Sequence, residues 1–132
     1  MRNLLIPALL ALLAALPASA NSPRMPVLNC VFATECLDNE CADSGYSAQL
    51  RLRNARPVDS QMTLISAEFE DASETVPLQG MILSGNKRLF NTESATGTRL
   101  LTISPDGTAR YTTHIAEPLM AMTYLGQCEE DR

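Results

Sequence analysis

The segment Tyr46-Ser47-Ala48-Gln49-Leu50-Arg51-Leu52-Arg53 decides the fold class. Tyr46, Ala48, Leu50 and Leu52 recur on one side at a period of two, and Ser47, Gln49, Arg51 and Arg53 fill the other. That is the side-chain period of a β-strand, and a strand with one apolar and one polar side belongs to an antiparallel sheet with one wet face.

Outward from this strand the same pattern returns. In Met62–Glu70, Glu68 and Glu70 mark the wet side, so Phe69 with Ala67 and Ile65 faces inward. Arg51 and Arg53 are the expected cross-strand partners of those glutamates, at roughly a few tenths of a kcal/mol each. Leu28–Phe32 reads as an opening strand and Met120–Cys128 as a closing one, with Gly126 marking a bend or a close packing contact. Thr98–Ser104 and Thr108–Ile115 flank Pro105-Asp106-Gly107, a turn in which Pro presets φ and Gly accepts a positive one. Asn54–Ser60 and Asp71–Glu74 read as connections.

Val76–Leu83 contains Pro77 and Gly80 and predicts two short strands or an edge strand. Gly85-Asn86, within Ser84–Lys87, predicts a two-residue hairpin turn leading into Arg88–Asn91. Glu35–Asp43 reads as an acidic loop, with a short helix as the alternative near Ala33–Ala42. No long stretch places apolar residues at helical spacing. The sum is an all-β chain, a small antiparallel meander closing into a barrel, with a β-sandwich as the alternative.

The first 20 residues carry a different message. A positive start at Met1-Arg2, an apolar run from Leu4 to Leu16 and Pro17-Ala18-Ser19-Ala20 read as a signal peptide cleaved after Ala20. The apolar run is shorter than the ~20 residues a membrane span needs. Residues 21–132 then form a single β domain, periplasmic or secreted. Loss of Arg2 with the leader takes the net charge from −5 to −6. A net charge of that sign repels nucleic acid and anionic lipid and favours basic partners.

All four cysteines, Cys30, Cys36, Cys41 and Cys128, follow the leader, and an even count in an exported chain argues for disulfides. Of the three possible pairings, Cys30–Cys128 and Cys36–Cys41 are favoured. The first ties the opening strand to the closing one, and the second closes a small acidic loop. Four residues separate Cys36 from Cys41, without a neighbouring cation to stabilise a thiolate, so thiol chemistry is not expected.

The candidates for catalysis are weak. His114 is the only histidine. By alternation it lies with Arg110 and Thr112, opposite Ala109, Tyr111 and Ile115, and so faces solvent. There is no G-x-S-x-G turn to present a nucleophile. Paired carboxylates for glycoside hydrolysis could be drawn from Glu68, Glu70 and Asp71, of which Glu68 and Glu70 stand about 7 Å apart along a strand, inside the range of an inverting glycosidase. Such a site also needs sugar-stacking aromatics, and the chain has no Trp, three Phe and three Tyr. Met62, Met81, Met120 and Met122 read as core filler. No cofactor or metal is called for. Glu35, Asp38, Glu40 and Asp43 could offer oxygen ligands to calcium, but their spacing matches no EF-hand, and a solvated acidic loop is the expectation.

The layout resembles small exported bacterial proteins of alphaproteobacterial type. The resemblance rests on Thr34-Glu35-Cys36, Asp106-Gly107 and Gly126-Gln127-Cys128, at the two ends of the mature chain. It is also similar, more faintly, to the periplasmic inhibitors of c-type lysozyme. Those are small barrels with a cystine joining first and last strands, and they place Ser-Gly-x-x-Tyr on the inhibiting loop. Here Ser84-Gly85 is followed by Asn86, Lys87 and then Arg88 in place of Tyr. The resulting expectation is a non-catalytic exported protein binding a protein or envelope component. Its surface would comprise Glu35, Asp38, Glu40 and Asp43 with the neighbouring turns, including Ser84 and Gly85. A rigid cystine loop suits such a contact, because pre-organisation lowers the entropy cost of binding. A small-ligand barrel and a lysozyme-inhibitor-like protein are the alternatives. A barrel of this size is expected to be filled by its own side chains.

Overall fold

The computed structural model describes residues 24–91 and 97–131. The leader expected over residues 1–20 lies outside them. The described chain forms eight strands and no helix: β1 (Val27–Leu37), β2 (Glu40–Pro57), β3 (Met62–Glu70), β4 (Thr75–Leu83), β5 (Asn86–Asn91), β6 (Thr98–Ile103), β7 (Thr108–Ile115) and β8 (Met120–Glu130). Each strand pairs antiparallel with the next, and β8 returns to β1, closing the barrel.

Alternation builds the interior. Ala48, Leu50 and Leu52 of β2 point inward with Ile65, Ala67 and Phe69 of β3. Phe32, Leu50, Phe69, Leu78, Leu89, Leu101 and Ile103 are sealed almost completely and fill the barrel with their own side chains. Burial of each stabilises the fold by about 1.5–3 kcal/mol. On the wet face Arg51 pairs with Glu70 at 3.2 Å and Arg53 with Glu68.

Both disulfides join residues directly opposite on neighbouring strands. Cys30 of β1 is bonded to Cys128 of β8, inside the core, and Cys36 to Cys41 near the tip of the β1–β2 hairpin. Such bonds mark an oxidising, non-cytoplasmic environment.

Four local expectations are corrected. Residues 35–43 are neither loop nor helix. They form the distal part of the β1–β2 hairpin, turning only at Asp38-Asn39, and β1 is ladder-paired to β8 along its length. Val76–Leu83 belongs to one continuous strand. Among the described residues this end of β4, with Pro77, pairs with β3 alone, the β5 ladder starting at Gln79, and a residue without an amide hydrogen is tolerated there. The following turn centres on Ser84-Gly85, one residue earlier than read. Both have positive φ (48° and 82°), as a type I′ turn requires. The connection after β2 is shorter than expected, because β2 runs on to Pro57.

One irregularity shapes the molecule. The register of β1 slips between Phe32 and Thr34 against both neighbours. An extra residue exchanges the faces of everything beyond it. Phe32 therefore lies in the core, while further along it is Glu35 and Leu37 that stand opposite Tyr124 and Met122. Gly126 sits across from Phe32 at this slip, and a Cβ there would come within 2.0 Å of the Val31 carbonyl oxygen.

Antiparallel order sorts the turns by end. The turns at 38–39, 71–74 and 116–119 share one end, called here the arm end. Those at 58–61, 84–85 and 104–107 share the other.

Candidate functional site

At the arm end the barrel wall is uneven. β2 pairs with β3 only from Gln49 and Glu70 inward, whereas β2, β1, β8 and β7 continue past that level as a four-stranded wall. Between wall and rim lies an open cavity of about 440 Å³, lined by Tyr46, Asp71, Glu74, Arg99, Tyr111 and Tyr124, with Ile115 and Met122 on the wall side.

The rings form its floor. Tyr46 stacks on Phe32 at 5.5 Å between centroids and meets Tyr124 at 4.4 Å, while Tyr111 meets Phe69 at 4.6 Å. All of these occupy inward positions on their strands, so the core's last layer is aromatic and its outer side is phenolic. Tyr111 is nearly sealed, and Tyr46 and Tyr124 are half-buried.

Asp71 is the fixed charge. Its Oδ1 accepts from the Ser73 amide (2.7 Å), the Ser73 hydroxyl (2.7 Å) and the Glu74 amide (2.9 Å), and its Oδ2 accepts from the Tyr46 hydroxyl (2.8 Å). An Asp is favoured at such a turn because its carboxylate replaces missing backbone acceptors. Burial alone would raise its pKa. The hydrogen bonds from Ser73, Tyr46 and Glu74 outweigh burial and bring it down to about 2. The Tyr46 phenol is pushed up by burial and by its bond to Asp71. Tyr124 is raised by burial, then by the nearby charges of Glu35 and Asp71. Its hydroxyl has no hydrogen-bond partner among the described residues.

Arg99 is the buried cation, only 5 % exposed. Its Nη2 lies 2.8 Å from Glu74 Oε1, and its side chain reaches the Tyr111 hydroxyl. Tyr111 is raised by burial, with Thr113 and Arg99 opposing. Since Glu74 offsets Arg99, Asp71 and the adjacent Glu35 leave the mouth negative.

The residues expected to form a binding surface are split. Glu35 accepts a 3.1 Å hydrogen bond from Ser44 and neighbours Tyr124 across the ladder. Asp38 is used structurally: its amide donates to the Ala121 carbonyl (2.8 Å) and its carboxylate accepts from the Ala121 amide (2.9 Å), pinning the hairpin tip to β8. Glu40 and Asp43 are exposed on the arm. Ser84 and Gly85 lie at the opposite end, where the Ser84 amide donates to Gln61, and so they do not join this surface. His114 is exposed, opposite Thr98 and Ala121. Among the described residues no group of three or more His, Cys, Asp or Glu converges as a metal site would need.

The sequence reading missed Arg99, Asp71, Glu74 and the tyrosines as a group. A signal for Arg99 was present: it shares the parity of Leu101 and Ile103, so a strand with those two inward buries a guanidinium. No known protein family, curated protein or solved structure matches the chain.

Proposed function

We propose that this chain is an exported, non-catalytic binding protein that takes a basic segment of a partner protein into the arm-end mouth of its barrel. The observation that carries this reading is the pairing, in one open cavity, of an Asp71 held ionised with the unpartnered hydroxyl of Tyr124. Tyrosine supplies large, rigid contact area at low entropic cost and is concentrated at binding hot spots. A Lys or Arg side chain entering there would meet carboxylate and ring faces together. Leu37, 42 % exposed on the wall beside Met122, offers the apolar contact such an anchor needs.

The leader-like residues 1–20 and the two disulfides support export to the periplasm or beyond. The non-catalytic reading is supported by the occupation of the mouth's charged groups: Asp71 by four donors, Glu74 and Arg99 by each other. The hydroxyls beside Asp71, those of Ser73 and Tyr46, donate to a carboxylate whose pKa is lowered to about 2, which makes it a weak base for activating either of them.

Affinity capture from envelope extract tests the proposal. The wild-type barrel, Tyr124→Ala, Asp71→Asn and, as a control from the far end, Ser84→Ala are compared. Capture lost in the first two variants and kept in the third is expected. Capture indifferent to both mouth variants would remove the mouth from the binding surface.

A further inference from the structure

The charge of this acidic chain is unevenly placed. Strands β4, β5, β6 and β7 contain no Asp or Glu, yet they carry Lys87, Arg88, Arg99, Arg110 and His114. Among the described residues the acids gather instead on the arm, on the β3 face paired with arginines, and at the two ends, Glu129 and Glu130 closing β8 included. Arg88 and Arg110 are exposed on the outer wall, each directly across from Thr102, and so about 10 Å apart. Neither is in an ion pair with any described residue, unlike Arg51, Arg53 and Arg99.

The same wall is apolar where it should be wet. Phe90 and Leu100 are cross-strand partners on the outside, 45 % and 48 % exposed. Beside them runs a groove of about 610 Å³ lined by Leu100, Thr102, Thr108, Arg110 and Leu125. Leu125 is the cross-strand partner of Arg110. Exposed apolar residues scattered singly need no explanation, but a contiguous pair beside a groove and two unpaired arginines does.

We propose that the outer face of β5–β8 is a docking surface for an anionic lipid membrane. The arginines meet headgroup phosphates, Phe90 and Leu100 enter the interface, and the barrel lies on its side. Net charge alone argues for repulsion. At close range, though, a surface potential decays within a Debye length, ~8 Å at physiological salt, so the local wall counts for more than the distant ends. Lying on its side keeps both acidic ends at the periphery of the contact. The mouth plays no part in this contact, so it stands or falls independently of the proposed partner binding.

The test is co-sedimentation of the chain from Arg24 onward, within which all eight strands close, with vesicles of phosphatidylglycerol and phosphatidylcholine or of phosphatidylcholine alone. Binding to the anionic vesicles only, released by high salt, is expected. Arg88→Glu with Arg110→Glu should weaken it by at least about tenfold. Phe90→Ser with Leu100→Ser should weaken it at equal charge. Near-ultraviolet circular dichroism and a thiol assay verify that the variants are folded and oxidised, and the milder Arg88→Gln with Arg110→Gln replaces the reversal if that does not fold. Equal binding to neutral vesicles, unchanged binding of the charge variants, or binding of soluble polyglutamate without any vesicle binding would each overturn the proposal.

Discussion

The phenol of Tyr46 donates a 2.8 Å hydrogen bond to the carboxylate of Asp71, closing the barrel just beyond the last β2–β3 ladder pair, Gln49 with Glu70. The bond serves two purposes. It bridges a seam that backbone pairing leaves open, and it fixes a negative charge at the cavity's edge.

That bond makes stability depend on pH with a definite sign. The Asp71 carboxyl is lowered on folding, from 3.8 to about 2. Its contribution is therefore complete above its unfolded pKa and is lost as pH falls from about 4 through about 2. With solvent screening at a partly exposed site, the effect is on the order of 1 kcal/mol. Urea unfolding at pH 6 and pH 2.5 should show the wild type losing that much more than Asp71→Asn. Tyr46→Phe should cost about 1 kcal/mol at neutral pH by deleting one bond.

The two disulfides should differ in weight. Cys30–Cys128 spans 98 positions and Cys36–Cys41 spans 5. By the chain-entropy relation, closing loops of those sizes contributes about 4.7 and about 2 kcal/mol. Replacing the first pair by Ala should lower the urea midpoint more than replacing the second. Loss of the second should appear chiefly as faster amide exchange at 40–43, since that part of β2 has β1 as its single ladder neighbour among the described residues.

Gly126 is a packing requirement. Its backbone passes so close to Val31 that Gly126→Ala must push β8 from β1 at the register slip. A destabilisation of about 2–3 kcal/mol is expected from chemical unfolding, with retained β-sheet circular dichroism. An unchanged midpoint would mean that the strands separate at no cost.

What could be read in the sequence was local. Alternation in Tyr46–Arg53 and Met62–Glu70 announced inner and outer faces, and Pro105-Asp106-Gly107 announced its turn. The Cys pairing followed from the roles of the first and last strands. What could not be read was relational. The slip between Phe32 and Thr34 has no residue signature, yet it decides that Glu35 and Leu37, rather than Thr34 and Cys36, share a face with Tyr124. The mouth needs side chains from β2, β6, β7 and β8 and from the β3–β4 turn, which only the barrel's registers bring together. In the sequence Asp71 is a turn residue and one of three carboxylates near a strand end; its bond to Tyr46, 25 positions away, exists only in the folded barrel.

The most direct measurement places a photo-cross-linking residue at Leu37, on the wall of the mouth, or at Ser84, at the far end, in the exported protein of living cells. A discrete protein adduct from position 37, diminished by Asp71→Asn, and none from position 84 is the predicted result. Adducts from position 84 alone, or identical adducts from both, would contradict a working surface at the arm-end mouth.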